Sequence, residues 1–286
     1  MSLTTLLHSA RNLGWLPLLP ANYTLLLRLW RYFPLVLPIQ LSTTFYPMGK
    51  TSFSSIFNLP GKPAWMIQEL LSPLFLLLNL YPSSSARPSK ENAFLAALFC
   101  IHYFHRAIVS PLLNPSMAPM HAIMFCSAVG FNYVNGSLIG AWLGGRGEAA
   151  GVPVWQGVIG GLVFAAGFAG NIYHEELLRD IRRPGKHAQE AKEKGQEVVE
   201  GDGRVYRVPQ GGLFRWCWFP HYFCEWIEWT GFMIAAGGPW KCVPAAMFLI
   251  NELATMGPRA IQGKRWYKEK FGAKTPERYA VVPGIL

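Results

Sequence analysis

One histidine and two glutamates lie at helical spacing in an aromatic and apolar segment near the carboxyl end of the chain. The stretch runs from Gly203 to Trp229, begins with a basic turn, and then carries His221, Glu225 and Glu228 at spacings of four and three residues. Such spacings put the three side chains on one face of a helix. Ionisable groups are costly inside a membrane span and usually serve a function there. This face is therefore predicted to contact a ligand, a cavity or another polar helix.

Two further apolar segments carry groups that could face these acids. The pair Gln68-Glu69 lies in one of them, and Tyr103 and Arg106 lie three residues apart in the other, within HYFHR. A buried carboxyl must be neutralised, paired or hydrogen-bonded. Glu69 is therefore either a structural tie between helices or an acid kept protonated so that it can donate a hydrogen bond. Beside such an acid and an arginine, Tyr103 is a candidate proton donor.

A polar edge is predicted where the segment GNIYHEELLRDIRRPG leaves another apolar block. Its members recur at intervals of four, four and three residues and are Asn171, Glu175, Arg179 and Arg182. This spacing places them on one side of a helix. Arginine binds phosphate through two parallel hydrogen bonds, so the edge suits an anionic ligand such as a nucleotide. Further arginines that could reach the same anion are Arg204, Arg207 and Arg259.

The composition places these residues in a membrane protein. The 286 residues are 51% hydrophobic and 15% charged, whereas soluble domains carry about 25% charged residues. The net charge is +10, but Lys and Arg lie in the connections between apolar blocks, which is typical of cytosolic loops and argues against a nucleic-acid partner. The five cysteines are scattered without a CxxC pair, so neither a disulfide framework nor a metal site is predicted.

Seven membrane spans of about 20 residues each are predicted, in an all-α bundle that forms a single domain over residues 1–286. They cover residues 22–41, 64–81, 93–113, 117–143, 154–173, a segment that begins at 213, and 243–256. Most Lys and Arg follow the fifth and the seventh span, which places residues 186–207 and the carboxyl terminus in the cytosol. The charged insertion 186–203 is predicted to be a solvated helix or a disordered excursion.

Six motifs occur in order in this chain: Gln68-Glu69, HYFHR, NIYHEELLRDIRRPG, YRVPQGGLF, HYFCEWIEW, and the tail PRA…KRWYKEKFG. Together they resemble the steroid 5α-reductase family of NADPH-dependent membrane enzymes. The resemblance runs from about residue 46 to the carboxyl end, so residues 1–45 form a divergent amino-terminal part. It implies a seven-helix fold in the endoplasmic reticulum membrane, with NADPH bound inside the bundle on the cytosolic side.

The resemblance also implies roles for individual residues. Glu69 and Tyr103 match the residues that hold the substrate's ketone oxygen, with Gln68 and Arg106 beside them in the substrate site. The positions that match the cofactor pocket are Asn114, Asn171, Glu175, Arg179, Arg182, Tyr206, Arg207, His221, Glu225, Arg259 and Tyr267. Three positions depart from the steroid-reducing relatives: Glu175 replaces an Asp, His221 replaces an Asn, and Gly263 replaces a His.

These residues predict an NADPH-dependent reductase that saturates the double bond of a 3-keto-4-ene steroid or sterol. Within the same family, trans-2-enoyl-CoA and polyprenal-type lipids are alternative substrates. A non-enzymatic membrane scaffold or lipid transporter is the alternative from another class, although the paired halves typical of transporters are absent from the sequence. The expected partners are a lipophilic enone and membrane lipids, with no obligate protein partner.

Overall fold

The structure is a computed structural model that describes residues 3–43, 48–49, 53–81, 88–146, 151–182, 198–201 and 204–286. Within these ranges the chain is mainly α-helical, as the sequence predicts. The α-helices are α1 (Leu3–Asn12), α2 (Pro20–Trp30), α3 (Val36–Ser42), α4 (Gly61–Leu80), α5 (Lys90–Phe104), α6 (Ser110–Leu113), α7 (Ala122–Ala141), α8 (Val154–Arg182), α9 (Pro220–Ala235) and α10 (Val243–Phe271). Short 3-10 or π turns lie at Phe33–Leu35, His105–Val109, Trp142–Arg146, Gly212–Arg215 and Gly272–Lys274.

Two short antiparallel ladders accompany the helices in the described ranges. Strand β1 (Asn58–Leu59) pairs with β2 (Met120–His121), and β3 (Val198–Gly201) pairs with β4 (Arg204–Arg207). The second ladder corrects the prediction for the charged insertion, because its last residues form a strand and not a helix or a disordered segment. Val198 and Val199 are β-branched, which favours a strand. Residues 186–197 of the insertion lie outside the described ranges.

Among the described residues, four helices are long and apolar enough to cross a membrane, and they correspond to the second to fifth predicted spans. They are Gly61–Leu80, Lys90–Leu113, Ala122–Gly145 and Val154–Arg182. The last of these extends beyond the predicted end at residue 173, so its polar edge is part of the same continuous helix. The membrane character is therefore supported and these four segments are helices of sufficient length and hydropathy to span a membrane, while the count of seven stays a prediction.

The other three predicted spans differ from the observed helices. The first is divided into α2, the turn Phe33–Leu35 and α3. Pro34 contributes to this break because proline lacks the N–H that a continuous helix needs. The sixth begins at Pro220 and not at Leu213, with proline in the first helical turn, where its missing N–H has no cost. The seventh continues beyond Met256 to Phe271.

Two helix pairs pack with their backbones in direct contact, and glycine makes both contacts possible. A Cβ atom on Gly231 of α9 would lie 2.2 Å from the backbone nitrogen of Phe164 on α8, and one on Gly160 would lie 2.3 Å from the nitrogen of Ala235. A Cβ atom on Gly136 of α7 would lie 2.1 Å from the backbone oxygen of Ser72 on α4. Small residues allow such close approach between membrane helices. The two pairs bring the polar faces of α4, α8 and α9 to the same interior.

Aromatic side chains fill the space between these helices. Trp229 of α9 is almost fully buried and lies at the centre of the largest core cluster. Its ring contacts Phe99, Phe232 and Phe248 in edge-to-face arrangements, with ring centroids 5.6, 5.6 and 4.6 Å away. Such arrangements are favoured between aromatic rings. The cluster fixes α5, α9 and α10 next to one another and places the ionisable residues of α5 and α9 in contact.

We predict that Gly231→Ala destabilises the protein by about 1–3 kcal/mol, because the added methyl group overlaps the backbone of α8. Gly157→Ala on α8 is the matched control, since a Cβ atom there would meet nothing within 4 Å. Thermal unfolding of the detergent-solubilised full chain should show a lower Tm for Gly231→Ala only. Equal Tm values for the two variants would contradict the close α8–α9 contact.

Candidate active site

Glu69 and Gln68 lie on the buried side of α4. This side repeats every four residues through Ala64, Gln68, Ser72 and Leu76, all of which are buried, and such a repeat marks one face of a helix. Gln68 Nε2 donates a hydrogen bond to Glu69 Oε1 at 3.3 Å. The buried carboxyl predicted at Glu69 is therefore hydrogen-bonded to its neighbour in sequence.

Tyr103 of α5 is buried close to Glu69, and the two side chains are within electrostatic range of each other. Its hydroxyl oxygen accepts a hydrogen bond at 3.2 Å from Nδ2 of Asn135 on α7. The structure shows no direct hydrogen bond between Tyr103 and Glu69. Asn135 was not among the predicted site residues, because its spacing gives no signal that it faces α5.

Arg106 joins the predicted substrate residues to the predicted cofactor residues. It lies in the π turn His105–Val109 that follows α5, and π turns are frequent at functional sites. Its Nε atom is 4.0 Å from Glu69 Oε2, and its Nη1 atom is 3.7 Å from Glu175 Oε1 and 3.5 Å from Glu225 Oε2. One guanidinium therefore contacts carboxyls from α4, α8 and α9.

The ionisable residues of α9 face inward, as their spacing predicts, and they meet His102 of α5. Glu225 and Glu228 are both buried. The Nδ1 atom of His102 is 2.7 Å from Glu228 Oε1, and its Nε2 atom is 3.9 Å from Glu225 Oε1. The sequence placed Glu228 on this polar face without a role of its own in the site, and it gave His102 no role. Their signal was present, since Glu228 shares a helix face with Glu225 and His102 precedes Tyr103.

The polar edge of α8 contacts the same cluster. Asn171 Nδ2 donates hydrogen bonds to the backbone oxygen of His221 at 3.0 Å and to Glu225 Oε2 at 3.3 Å. Glu175 Oε2 accepts a hydrogen bond at 3.0 Å from the hydroxyl of Ser110. The prediction of a shared polar edge thus agrees with the geometry of Asn171 and Glu175.

Arg179, on the same edge, is the most deeply buried arginine among the described residues, with 2% of its surface exposed. It pairs with Glu176 through Nη1 and donates to the hydroxyl of Ser110 through Nη2 at 3.4 Å. Its Nε atom is buried without a hydrogen-bond partner in the described part of the chain. A buried guanidinium with a remaining donor fits an anionic group of a nucleotide cofactor.

A second group of predicted cofactor residues lies around the end of α8. Arg207 Nη2 donates hydrogen bonds to the backbone oxygens of Asp180 and Ile181 at 3.3 and 3.1 Å, where helix carbonyls lack partners of their own. Arg182 is exposed, and it is within electrostatic range of Tyr267 on α10. Tyr267 is buried and stacks on Trp218, with ring centroids 4.3 Å apart.

The remaining predicted residues make local contacts. The ring of Tyr206 lies edge-on to Trp266 at 5.2 Å. Asn114 donates through Nδ2 to the backbone oxygen of Ser110, and its own backbone oxygen accepts from Lys62 Nζ at 3.0 Å. Arg259 is half-buried on α10, and its guanidinium lies beside Gly49. These contacts do not join Asn114 or Tyr206 to the carboxyls around Arg106.

The PQGG loop is held against α8 by contacts that the sequence did not predict. Gly211 and Gly212 have φ angles of +91° and +50°, a region that favours glycine. The backbone nitrogen of Leu213 donates to His174 Nε2 at 3.0 Å. Arg278 Nη1 donates to the backbone oxygen of Pro209 at 2.8 Å, and burial lowers the pKa of the Arg278 guanidinium. His174 and Arg278 thus fix the loop that leads into α9.

Gly263 has a specific neighbour in Phe219. A Cβ atom built on Gly263 would lie 2.1 Å from Cζ of the Phe219 ring. The ring therefore fills the space that a larger side chain at position 263 would need.

Comparison with known proteins gives one consistent result. Residues 118–286 match the sequence profile of a family described as 3-oxo-5-alpha-steroid 4-dehydrogenase. The chain is 33% identical over 237 residues to human 3-oxo-5-alpha-steroid 4-dehydrogenase 2, which covers 80% of this chain and 82% of that protein. It is 31% identical over 232 residues to the rat type 1 enzyme of that name, covering 80% and 82%. An uncharacterized Schizosaccharomyces pombe protein is 34% identical over 260 residues, covering 84% and 91%.

We predict that Gly263→His destabilises the protein by about 1–3 kcal/mol, because the new side chain overlaps the Phe219 ring. Gly257→Ala, on the same helix, is the control for added volume, since a Cβ atom there would meet nothing within 4 Å. Thermal unfolding should show a lower Tm for Gly263→His, partly restored when Phe219→Ala is added. A Gly263→His protein that is as stable as the parent, and more so with NADPH, would contradict this account.

Proposed function

The chain belongs to the steroid 5α-reductase family, and we propose that it reduces the carbon–carbon double bond of a 3-keto-4-ene steroid or sterol with NADPH. Membership identifies it as an oxidoreductase that acts on CH–CH bonds. The observation that supports the proposal most is the arrangement around Arg106, where Glu69 approaches one side and Glu175 and Glu225 approach the other. Arg106 thus lies between the residues proposed to bind the ketone and those proposed to bind the nucleotide, inside an apolar bundle.

Tyr103 is the proposed hydrogen-bond donor to the substrate's ketone oxygen. Its hydroxyl oxygen already accepts a hydrogen bond from Asn135, so the hydroxyl hydrogen is available to another acceptor. Hydrogen bonds in a chain polarise one another, and the bond from Asn135 therefore makes the Tyr103 hydroxyl a better donor. The ketone oxygen becomes negative as the double bond is reduced, and a fixed donor in a dry site stabilises this developing charge.

Glu69 supports the same oxygen in its protonated form. Its carboxyl is buried on α4 and accepts a hydrogen bond from Gln68 at 3.3 Å. A neutral carboxylic acid can donate a hydrogen bond at neutral pH. Arg106, 4.0 Å away, holds the carboxyl in place and adds positive charge on the substrate side.

When it is bound, NADPH supplies the hydride for the β-carbon of the enone. The residues proposed to bind it lie on α8 and α9 and in the segments that contact them. Asn171 and Glu225 provide an amide and a carboxyl for the nicotinamide end. Arg179, Arg182 and Arg207 provide guanidiniums for the phosphates, and the extra phosphate of NADPH over NADH fits a surplus of arginine.

The proposal extends to the setting of the enzyme. A seven-helix bundle in the endoplasmic reticulum membrane, with the cofactor side and the carboxyl terminus in the cytosol, would give the site access to cytosolic NADPH. The basic excess that follows α8 and that occupies the last third of α10 supports this orientation. Protease that is added to sealed microsomes would then cut the insertion at residues 186–203, and full protection of that insertion would contradict the orientation.

We predict that Tyr103→Phe lowers turnover on an enone steroid by about a hundred- to a thousand-fold, which is typical for the loss of one donor to a developing oxyanion. Glu69→Gln keeps the shape but removes the acid, so it should also slow the reaction severely. Because the two groups act on one oxygen, the double variant should be little slower than either single variant. Steady-state rates with NADPH and an enone steroid give these values.

Tyr133→Phe is the matched control for the loss of a tyrosine hydroxyl on a membrane helix. Its hydroxyl donates to the backbone oxygen of Trp15 at 2.9 Å, away from Arg106, and turnover should stay near that of the parent. The same assay with trans-2-enoyl-CoA and polyprenal distinguishes the alternative substrates. Reduction of only those compounds, or near-normal steroid turnover by Tyr103→Phe, would contradict the proposed function.

A further inference from the structure

The ion-pair network around Arg106 and His102 contains more carboxyls than cations. Among the described residues its ion pairs join five carboxyls to two guanidiniums and one imidazole: Glu69, Glu175, Glu176, Glu225 and Glu228 with Arg106, Arg179 and His102. The half-exposed Glu176 pairs with Arg179. Four carboxyls then remain for one arginine and one histidine. Three of them, Glu69, Glu225 and Glu228, are buried, and buried carboxylates without a counter-charge are strongly disfavoured. The network is therefore expected to hold protons.

The charge mismatch is largest at Glu228. This residue is fully buried, its Oε1 atom is 2.7 Å from His102 Nδ1, and its ion pairs in the described part of the chain include no arginine or lysine. Its Oε2 atom is buried without a hydrogen-bond partner there. The His102–Glu228 pair is neutral when it holds one extra proton, either on the imidazole or on the carboxyl. Without that proton the pair carries one buried negative charge.

The groups that face this pair add to its negative surroundings. Titratable and charged side chains reach this network from every helix packed against it: Glu69 of α4, Tyr103, His105 and Arg106 of α5 and its π turn, Glu175 and Arg179 of α8, Cys224 and Glu225 of α9, and Glu252 of α10. Glu225, 3.9 Å from His102 Nε2, is the nearest carboxyl. An ionised Glu228 would be a second buried carboxylate beside Glu225. Ionisation of Glu228 therefore requires a new positive charge nearby.

The proposed reaction creates such a charge, because the nicotinamide ring is neutral in NADPH and positive in NADP⁺. Resting on the proposed function, in which Glu225 and Asn171 contact that end of the cofactor, we propose that the His102–Glu228 pair holds one exchangeable proton with NADPH and releases it with NADP⁺. The pair changes from neutral to negative as the ring changes from neutral to positive, so the total charge is conserved. Each hydride that is added to the β-carbon requires one proton at the α-carbon, which matches the proton released.

The coupling is measurable without turnover. Titration calorimetry of the full chain in detergent, in two buffers of different ionisation enthalpy at one pH, gives the protons exchanged when each nucleotide binds. NADP⁺ and NADPH carry the same phosphates, so the difference between them isolates the charge of the ring. Binding of NADP⁺ should release on the order of one proton more than binding of NADPH. Because proton release and nucleotide binding are linked, raising the pH should increase the affinity for NADP⁺ relative to the affinity for NADPH.

Glu228→Gln should reduce this difference by at least half, because the amide cannot accept the negative charge. Glu91→Gln, an exposed residue in the first turn of α5, is the matched control and should leave the difference unchanged. An infrared difference spectrum between the two complexes of the parent protein needs no variant. It should show the loss of either a protonated carboxyl or an imidazolium with NADP⁺.

Equal proton exchange for the two nucleotides, or an unchanged difference in Glu228→Gln, would overturn the inference. If the parent protein reduces an enone with NADPH but shows equal exchange, the proposed function stands and only the proton coupling is wrong. If neither nucleotide binds, both the proposed function and the coupling are wrong.

Discussion

The attraction between Arg106 and the carboxyls of three helices is the interaction on which the rest of the site depends. Glu69, Glu175 and Glu225 approach one guanidinium inside an apolar bundle. Removing one partner of a buried ion pair typically destabilises a protein by about 3–5 kcal/mol, because the other charge stays buried without compensation. Arg106 is the cation that the three helices share in these ion pairs, so its loss would remove one attraction from each of them. The same ion pairs keep the polar groups of the proposed site in an apolar interior, where unpaired charges are disfavoured.

Close backbone packing makes this arrangement possible. Gly231 lets α9 contact α8, and Gly136 lets α7 contact α4, so the polar faces lie within ion-pair distance across the interior. The contact of α7 with α4 also brings Asn135 to the Tyr103 hydroxyl. Small residues at the helix interfaces thus determine which polar side chains meet, although they take no part in the chemistry.

The sequence predicted the polar faces better than it predicted their partners. The inward faces of Glu225 and Glu228 on α9, and of Asn171 and Glu175 on α8, follow from spacing within one helix. Asn135 bonds to Tyr103 and Ser110 to Glu175, each from a different helix, and spacing within one helix carries no information about which helix it meets. The contact between Phe219 and Gly263 could not be predicted for the same reason, although the resemblance showed that Gly263 replaces a His.

The sequence also failed to predict where a helix is interrupted and where a short strand forms. The first predicted span was expected to cover residues 22–41, but the structure divides this segment into α2, a 3-10 turn that contains Pro34, and α3. The strand at Val198–Gly201 needs the partner strand Arg204–Arg207, which a charged composition did not suggest. Helices with long apolar runs, α4, α5, α7 and α8, were predicted well because length and hydropathy alone decide them.

The central claim, that this membrane bundle transfers hydride from NADPH to an enone, is tested most directly by isotope transfer. The full chain is incubated with NADPH that carries deuterium at the transferred position of the nicotinamide, and with a 3-keto-4-ene steroid. Mass spectrometry and nuclear magnetic resonance then locate the label in the product. The account predicts one deuterium at the β-carbon of the former enone and none at the α-carbon, which should be labelled only when the reaction is run in D₂O. An unlabelled product, or a label from NADPH at the α-carbon, would contradict it.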